Sequence, residues 1–254
     1  MDDQSQPLTP DFSAVTFIYF DLDDTLIDHK KAQKRALVDV WSQHPDLQRI
    51  EPDVFAAEFA ASNFRLWEEY RNGNVSQHEL RRLRFDETFR RLGIRPPDWR
   101  EIDRFYMDCY SRYWDWIHDA REAFIRISEN YPVGIMTNGF IFVQKKKFEH
   151  FSLNRYSRQL IISEEVGHLK PDRRIFEFGA EKAGYRPDQL LYVGDSYSSD
   201  VTGGARSGWN TAWYNPSVPE SGPDPESNLA DFVFSEYRQL LEVLKKTAAN
   251  ESAS

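Results

Sequence analysis

The sequence predicts an α/β protein: a parallel sheet with a bundle of helices inserted behind its first strand. Three observations lead there. Residues 17–20 (FIYF) are uninterrupted apolar positions that run straight into the acidic stretch DLDDT at 21–25, which is how a central parallel strand buried on both faces reads. Between 30 and 116 the strand signal disappears and apolar residues recur at helical spacing. From 117 onward short apolar runs alternate with amphipathic stretches, the pattern of βαβ units.

The chain has 254 residues, enough for one large domain or two modest ones. Two are expected. Residues 14–29 and 117–245 form a Rossmann-like core, residues 30–116 a helical insert, and residues 1–13 and 246–254 flexible tails. In the insert, Ala32, Ala36 and Val40 make one stripe, and Phe55, Phe59, Leu66 and Tyr70 make a second with Asp53 as N-cap. A turn at 71–74 precedes Ser76 and Glu79, a capping-box pair that starts a helix through Leu80, Leu83 and Leu92. A last stripe runs Ile102, Phe105, Cys109, Tyr113, Trp116. In the core, a helix is expected over 120–131 and strands over 132–136, 160–162, 190–193, 210–214 and 232–234. A helix over 172–183 closes at Gly184, and 216–228 is a Pro- and Ser-rich surface loop.

Composition narrows the function classes. Hydrophobic residues are 40% and charged residues 29% of the chain, ordinary for a globular protein and against disorder. No apolar run reaches the length of a membrane span, and the amino terminus lacks a signal-peptide pattern, so no membrane partner and a cytoplasmic location are expected. The single cysteine, Cys109, excludes an internal disulfide and reads as a packed residue. A net charge of −9 argues against a nucleic acid polymer as partner, since such binding needs clustered Lys and Arg. A small phosphorylated substrate is compatible, because one local lysine beside a metal ion suffices.

The acidic stretch carries the chemistry. Open α/β sheets place ligands at strand carboxyl ends, and Asp21 and Asp23, two apart, leave locally extended chain in the same direction. A hard divalent cation such as Mg2+ neutralises such a cluster and keeps coordination positions open for phosphate oxygens. Asp21 is then a candidate nucleophile, Asp23 a general acid and base, and Thr25 a turn-fixing hydroxyl. Thr137 follows a second apolar strand, which puts its hydroxyl in the same crevice with the Asn138 and Gly139 amides available to phosphate oxygens. Lys170, ahead of Pro171 and a helix, supplies a point charge for Asp21 and the phosphoryl group. Asp195 ends another apolar strand in reach of the metal, and Asp200 either meets the metal through water or holds Lys170.

FDLDDT at 20–25 resembles the DxDxT signature of the haloacid dehalogenase-like (HAD) superfamily, most of whose members are Mg2+-dependent phosphatases. TNG at 137–139, HLKPDRRIF at 168–176 and GDSYSSD at 194–200 resemble its second, third and fourth motifs, in order. The resemblance implies that the insert is a helical cap, that Asp21, the Asp23 carbonyl and Asp195 hold Mg2+, and that Asp21 is transiently phosphorylated. LWEEYRNGNVSQHELRRLRF, VGIMTNGF, ISEEVGHLKPDRRIFE and VGDSYSSD together resemble the bacterial noncanonical pyrimidine 5'-nucleotidases of this superfamily, which implies nucleoside monophosphates such as dUMP, dTMP and UMP as substrates. One departure stands out: where many capped relatives re-enter the core through Pro-Gly, this chain has His118 and Asp119. Two alternatives are weighed beside the nucleotidase, a sugar-phosphate or phosphoglycolate-type phosphatase and a non-catalytic binding module that retains the fold. A phosphomutase stays open as well, and a dehalogenase is disfavoured because Asp23 would have no leaving group to protonate. The cap is crowded with aromatic residues, none assigned to substrate; Phe140, at the crevice mouth, is the preferred stacking candidate.

Overall fold

The structure, a computed structural model, describes residues 10–217 and 229–251. The chain divides into two compact units, one of Met1–Ile27 with Trp116–Ser254 and the other of Asp28–Asp115.

The first unit is a six-stranded sheet in the order β3-β2-β1-β4-β5-β6. Its strands are β1 (Phe17–Phe20), β2 (Val133–Thr137), β3 (Ser157–Ile162), β4 (Leu190–Gly194), β5 (Asn210–Tyr214) and β6 (Phe232–Phe234), and every pairing is parallel. β1 sits in the middle, with Ile18 opposite Val133 on one side and Phe20 opposite Val193 on the other. The chain builds outward from β1 through β2 to β3, then crosses back to β4. Strand order therefore reverses at the carboxyl ends of β1 and β4, where diverging loops leave a crevice.

All four residues of β1 are buried because both faces of the sheet are covered. Ile18 and Phe20 pack with Phe124, Tyr237 and Leu240, whereas Phe17 and Tyr19 pack with Ile175, Phe176 and Trp209. Burying side chains of this size stabilises the fold by about 1.5–3 kcal/mol each. Phe12 joins the first of these clusters, so the tail expected over 1–13 is anchored to the core by its twelfth residue. At the other end, the expected tail from 246 is helical as far as residue 251.

In chain order the helices are α1 (His29–Gln43), α2 (Pro52–Arg71), α3 (Gln77–Arg91), α4 (Trp99–Arg112), α5 (Ala120–Ser128), α6 (Ile141–His150), α7 (Ser163–Val166), α8 (Arg173–Ala183), α9 (Thr202–Arg206) and α10 (Tyr237–Glu251). The second unit is α1 to α4, with Phe59 at its centre against Phe85 and Tyr106 (ring centroids 4.9 and 5.5 Å). Ser76 caps α3 as expected, its Oγ accepting from the Glu79 N–H at 3.2 Å while Glu79 Oε2 accepts from the Ser76 N–H at 2.8 Å. The cap of α2 is Glu51, followed by Pro52, rather than Asp53, which stands in the first turn. The buried residues of α3 are Leu80, Arg84, Phe85, Asp86, Thr88 and Phe89, not the Leu83–Leu92 line, and Arg84 is held inward by an ion pair with Asp103 at 2.5 Å. Trp116 lies beyond α4 in the first unit, where it bridges Ile27. Among the described residues, no helix is long and apolar enough to cross a membrane.

Two core elements differ from expectation. β3 starts at Ser157, because it is an edge strand whose first half is part-exposed and polar. α6 has no apolar stripe to announce it: its buried side chains are Gln144 and Lys147. The loop expected over 216–228 lies outside the described residues from 218 onward.

Candidate active site

The site is built at the strand carboxyl ends. The Asp21 N–H continues the β1–β4 pairing by donating to Val193 O at 2.8 Å, which fixes Asp21 beside the end of β4. One residue beyond β4, the Asp195 N–H donates to Thr25 Oγ1 at 2.9 Å. That hydroxyl lies 3.4 Å from both Asp21 Oδ2 and Asp195 Oδ1. The turn holding Thr25 is tight: Leu26 and Ile27 N–H groups donate to Leu22 O, and Asp24 takes a φ of 60°. Two further anchors brace the rim, Trp213 Nε1 donating to Asp195 O at 2.8 Å and Tyr237 Oη donating to Thr25 O.

Lys170 is the buried hub. Its Nζ donates to Asp21 Oδ1 (2.6 Å), Asp200 Oδ1 (2.7 Å) and Tyr192 Oη (2.7 Å), so all three ammonium protons have acceptors. Burial works against the charge, but Asp200, Asp21 and Tyr192 more than offset it and hold the Lys170 pKa well above the ordinary lysine value. Asp200 is locked in turn by the Ser196 N–H at 3.0 Å, and Gly194 is required where the backbone passes: a Cβ there would collide with the Asp200 carboxylate. Burial pushes the Asp21 carboxyl up to about 7; Lys170 pulls it down, while Asp200 and Asp23 push it up again.

The second motif braces more than it exposes. Asn138 Oδ1 accepts from the Lys170 N–H at 2.9 Å and its Nδ2 donates to Lys170 O at 3.0 Å, so the side chain is committed to seating the lysine. The Gly139 N–H donates to Ser163 Oγ at 3.1 Å, which corrects the expectation that it is directed at phosphate oxygens. Thr137 Oγ1 accepts from Gln144 Nε2 at 3.0 Å. Phe140 is 7% exposed, so its ring offers little face for stacking.

Asp23 is held from α6: its Oδ1 lies 2.5 Å from Lys147 Nζ and its Oδ2 accepts from Gln144 Nε2 at 3.0 Å. The structure thus brings together Asp21, Asp23, Thr137, Asn138, Lys170, Asp195 and Asp200, and adds Tyr192, Gln144 and Lys147, which no motif or periodicity in the sequence marks. A polar pair buried on one helix gives no periodic apolar signal. A tyrosine in a buried strand reads as core.

Carboxylate oxygens of Asp21, Asp195 and Asp200 lie within 4.8 Å of one another. An all-oxygen, anionic donor set suits a hard divalent cation and not a thiophilic one. Lys170 Nζ lies against two of these carboxylates, Asp21 and Asp200. The residues fit such an ion.

Comparison with known proteins identifies relatives along almost the whole chain. The pyrimidine 5'-nucleotidase YjjG of Escherichia coli is 31% identical over 239 residues, covering 91% of this chain and 98% of YjjG. The pyrimidine 5'-nucleotidase PynA of Streptococcus pneumoniae is 29% identical over 235 residues, covering 91% and 95%. Among solved structures, the magnesium-bound HAD-hydrolase YfnB of Bacillus subtilis superposes with a TM-score of 0.76 at 24% identity, covering 91% of this chain and 98% of YfnB. Residues 16–208 match the haloacid dehalogenase-like hydrolase family, and with a parallel sheet that carries four ordered motifs to one rim, the chain belongs to that family.

Proposed function

We propose that this hydrolase is a Mg2+-dependent phosphomonoesterase that cleaves pyrimidine nucleoside 5'-monophosphates by way of a phosphorylated Asp21. The observation that carries the reading is the Asp21–Lys170 contact at 2.6 Å within reach of Asp195: a carboxylate held beside a fixed cation at the switch point of the sheet. An Asp21 oxygen attacks phosphorus, and the bond from phosphorus to the nucleoside oxygen breaks. Asp23 gives its proton to the departing oxygen. Asp23 then takes a proton from water as that water attacks phosphorus, and the Asp21–phosphorus bond breaks to release phosphate. Lys170 offsets the charge that gathers on the phosphoryl oxygens, which is where phosphoryl transfer needs help most. Thr137 and Asn138 are assigned to the phosphate side, Thr137 by its hydroxyl and Asn138 by seating Lys170. Asp21, the Asp23 carbonyl and Asp195 are the residues that would hold Mg2+, with Asp200 behind them, and the ion when bound supplies positive charge to the phosphoryl group.

The pyrimidine preference is supported by the similarity to YjjG and PynA along almost the whole chain. Phosphate release from dUMP, dTMP, UMP and a panel of sugar phosphates, ranked by kcat/KM with and without Mg2+, tests it. A lead for sugar phosphates over nucleotides would overturn the nucleotidase assignment. Asp21→Asn is expected to abolish turnover with the fold intact, and turnover that survived would remove Asp21 as nucleophile.

A further inference from the structure

Lys147 is the least expected residue of the core. Its side chain is 1% exposed, and it makes an ion pair with Asp23, 2.5 Å away. Taking an ammonium out of water is costly, and an aliphatic side chain would fill the same space without that cost. Three residues earlier on α6, Gln144 is equally buried, and its Nε2 lies within 3.1 Å of three acceptors: Asp23 Oδ2, Thr137 Oγ1 and Asn138 O. Gln144 Oε1 is buried with no hydrogen-bond partner among the described residues, an arrangement that costs stability. Gly139 keeps the space clear, since a Cβ there would stand 2.5 Å from Gln144 Nε2. What the two side chains share is contact with Asp23, one with each carboxylate oxygen.

We propose that Lys147 and Gln144 are positioning residues that clamp the two carboxylate oxygens of Asp23 and register them against Thr137. The clamp rests on the reading of Asp23 as proton donor and acceptor given above. Lys147 fixes Oδ1, Gln144 fixes Oδ2, and the same Gln144 amide reaches the hydroxyl assigned to the phosphate side. Because both side chains project from one turn of one helix, the carboxylate cannot rotate without breaking both contacts. A small misplacement of a reacting group costs on the order of 10²-fold in rate, so holding Asp23 matters at the chemical step and not in binding.

The test compares two leaving groups on the whole protein with Mg2+. Nucleoside alkoxide from dUMP needs a proton as it leaves; p-nitrophenolate leaves without one. Lys147→Met is expected to lower kcat on dUMP ~10²-fold with KM within about twofold. Its single-turnover release of p-nitrophenolate from p-nitrophenyl phosphate, with enzyme in excess, should stay within about threefold of wild type, because that event reports only attack by Asp21. An unchanged kcat on dUMP, an equal loss in both assays, or a loss carried by KM would overturn the proposal. If Lys147→Met does not fold, Gln144→Leu carries the same test, with ~10-fold lower kcat on dUMP and the same split. Asp23→Asn, run alongside, separates the two layers. Full kcat in Asp23→Asn would remove the acid–base reading itself; a loss there with none in the α6 variants would remove only the clamp.

Discussion

The N–H of Asp195 donates to the hydroxyl of Thr25 across 170 residues of sequence, at 2.9 Å. This bond ties the end of β4 to the turn after β1 and places the Thr25 hydroxyl between the Asp21 and Asp195 carboxylates. Thr25→Val keeps the shape and removes the acceptor. Residues that orient metal ligands are typically worth 10–100-fold in affinity, so the Mg2+ concentration for half-maximal activity should rise ~10-fold in this variant. Thr25→Ser, which keeps the oxygen, should restore it. A Mg2+ dependence unchanged in Thr25→Val would show that the hydroxyl does not align the acidic pair.

Tyr192 gives a second prediction. Its hydroxyl accepts from Lys170 Nζ at 2.7 Å and donates to Met136 O at 2.6 Å, so it anchors the lysine to β2, the strand on the far side of β1 from its own. Tyr192→Phe leaves a buried carbonyl without that donor, a loss of about 1–3 kcal/mol readable by urea unfolding. Lys170 retains Asp21 and Asp200, so activity should fall by only ~10-fold, within the range for removal of one hydrogen bond at a charged group. Loss of all turnover in a folded variant would mean that Tyr192 acts on substrate directly.

Much of the site is legible in sequence because its residues end apolar strands. Asp21, Thr137 and Asp195 each follow or close a short apolar run, and a parallel sheet gathers such ends at one rim. The exact partners are not legible, for a physical reason. The partners of Asp23 are a lysine and a glutamine on α6, whose sequence, IFVQKKKFEH, buries its polar side chains and so imitates a solvated segment. Asn138 illustrates the converse: its residue type and position suggest phosphate, but a side chain with a donor and an acceptor matches the backbone of Lys170 better. The first half of β3 escapes for the ordinary reason that edge strands need not be apolar.

Asp119 stands where the family resemblance implies glycine, and its backbone takes a φ of 61°. Aspartate tolerates the left-handed region better than most residues, and glycine better still. Asp119→Ala should therefore be less stable than Asp119→Gly by about 1 kcal/mol, measured by urea unfolding of both variants. The exposed contact with His118 at 2.9 Å is lost in both, so it cancels from the difference. Equal stabilities would contradict a left-handed backbone at this position.

Burial of Asp21 leads to a prediction about pH and metal together. Its carboxyl is pushed from an ordinary 3.8 up to about 7 by burial, against the pull of Lys170. A carboxyl with a raised folded value holds its proton more tightly folded than unfolded, so its contribution favours the fold below the ordinary value and is lost as pH rises toward 7. Asp21→Asn carries no such penalty. In EDTA, the Tm of Asp21→Asn minus that of wild type should therefore grow between about pH 5 and about pH 8. A cation among the carboxylates reverses the sign of the local field: Mg2+ should raise the wild-type Tm at the higher pH and raise that of Asp21→Asn less. A Tm difference that stays constant with pH would mean that burial does not weaken the Asp21 charge, and equal Mg2+ stabilisation of both proteins would mean that Asp21 does not share the ion.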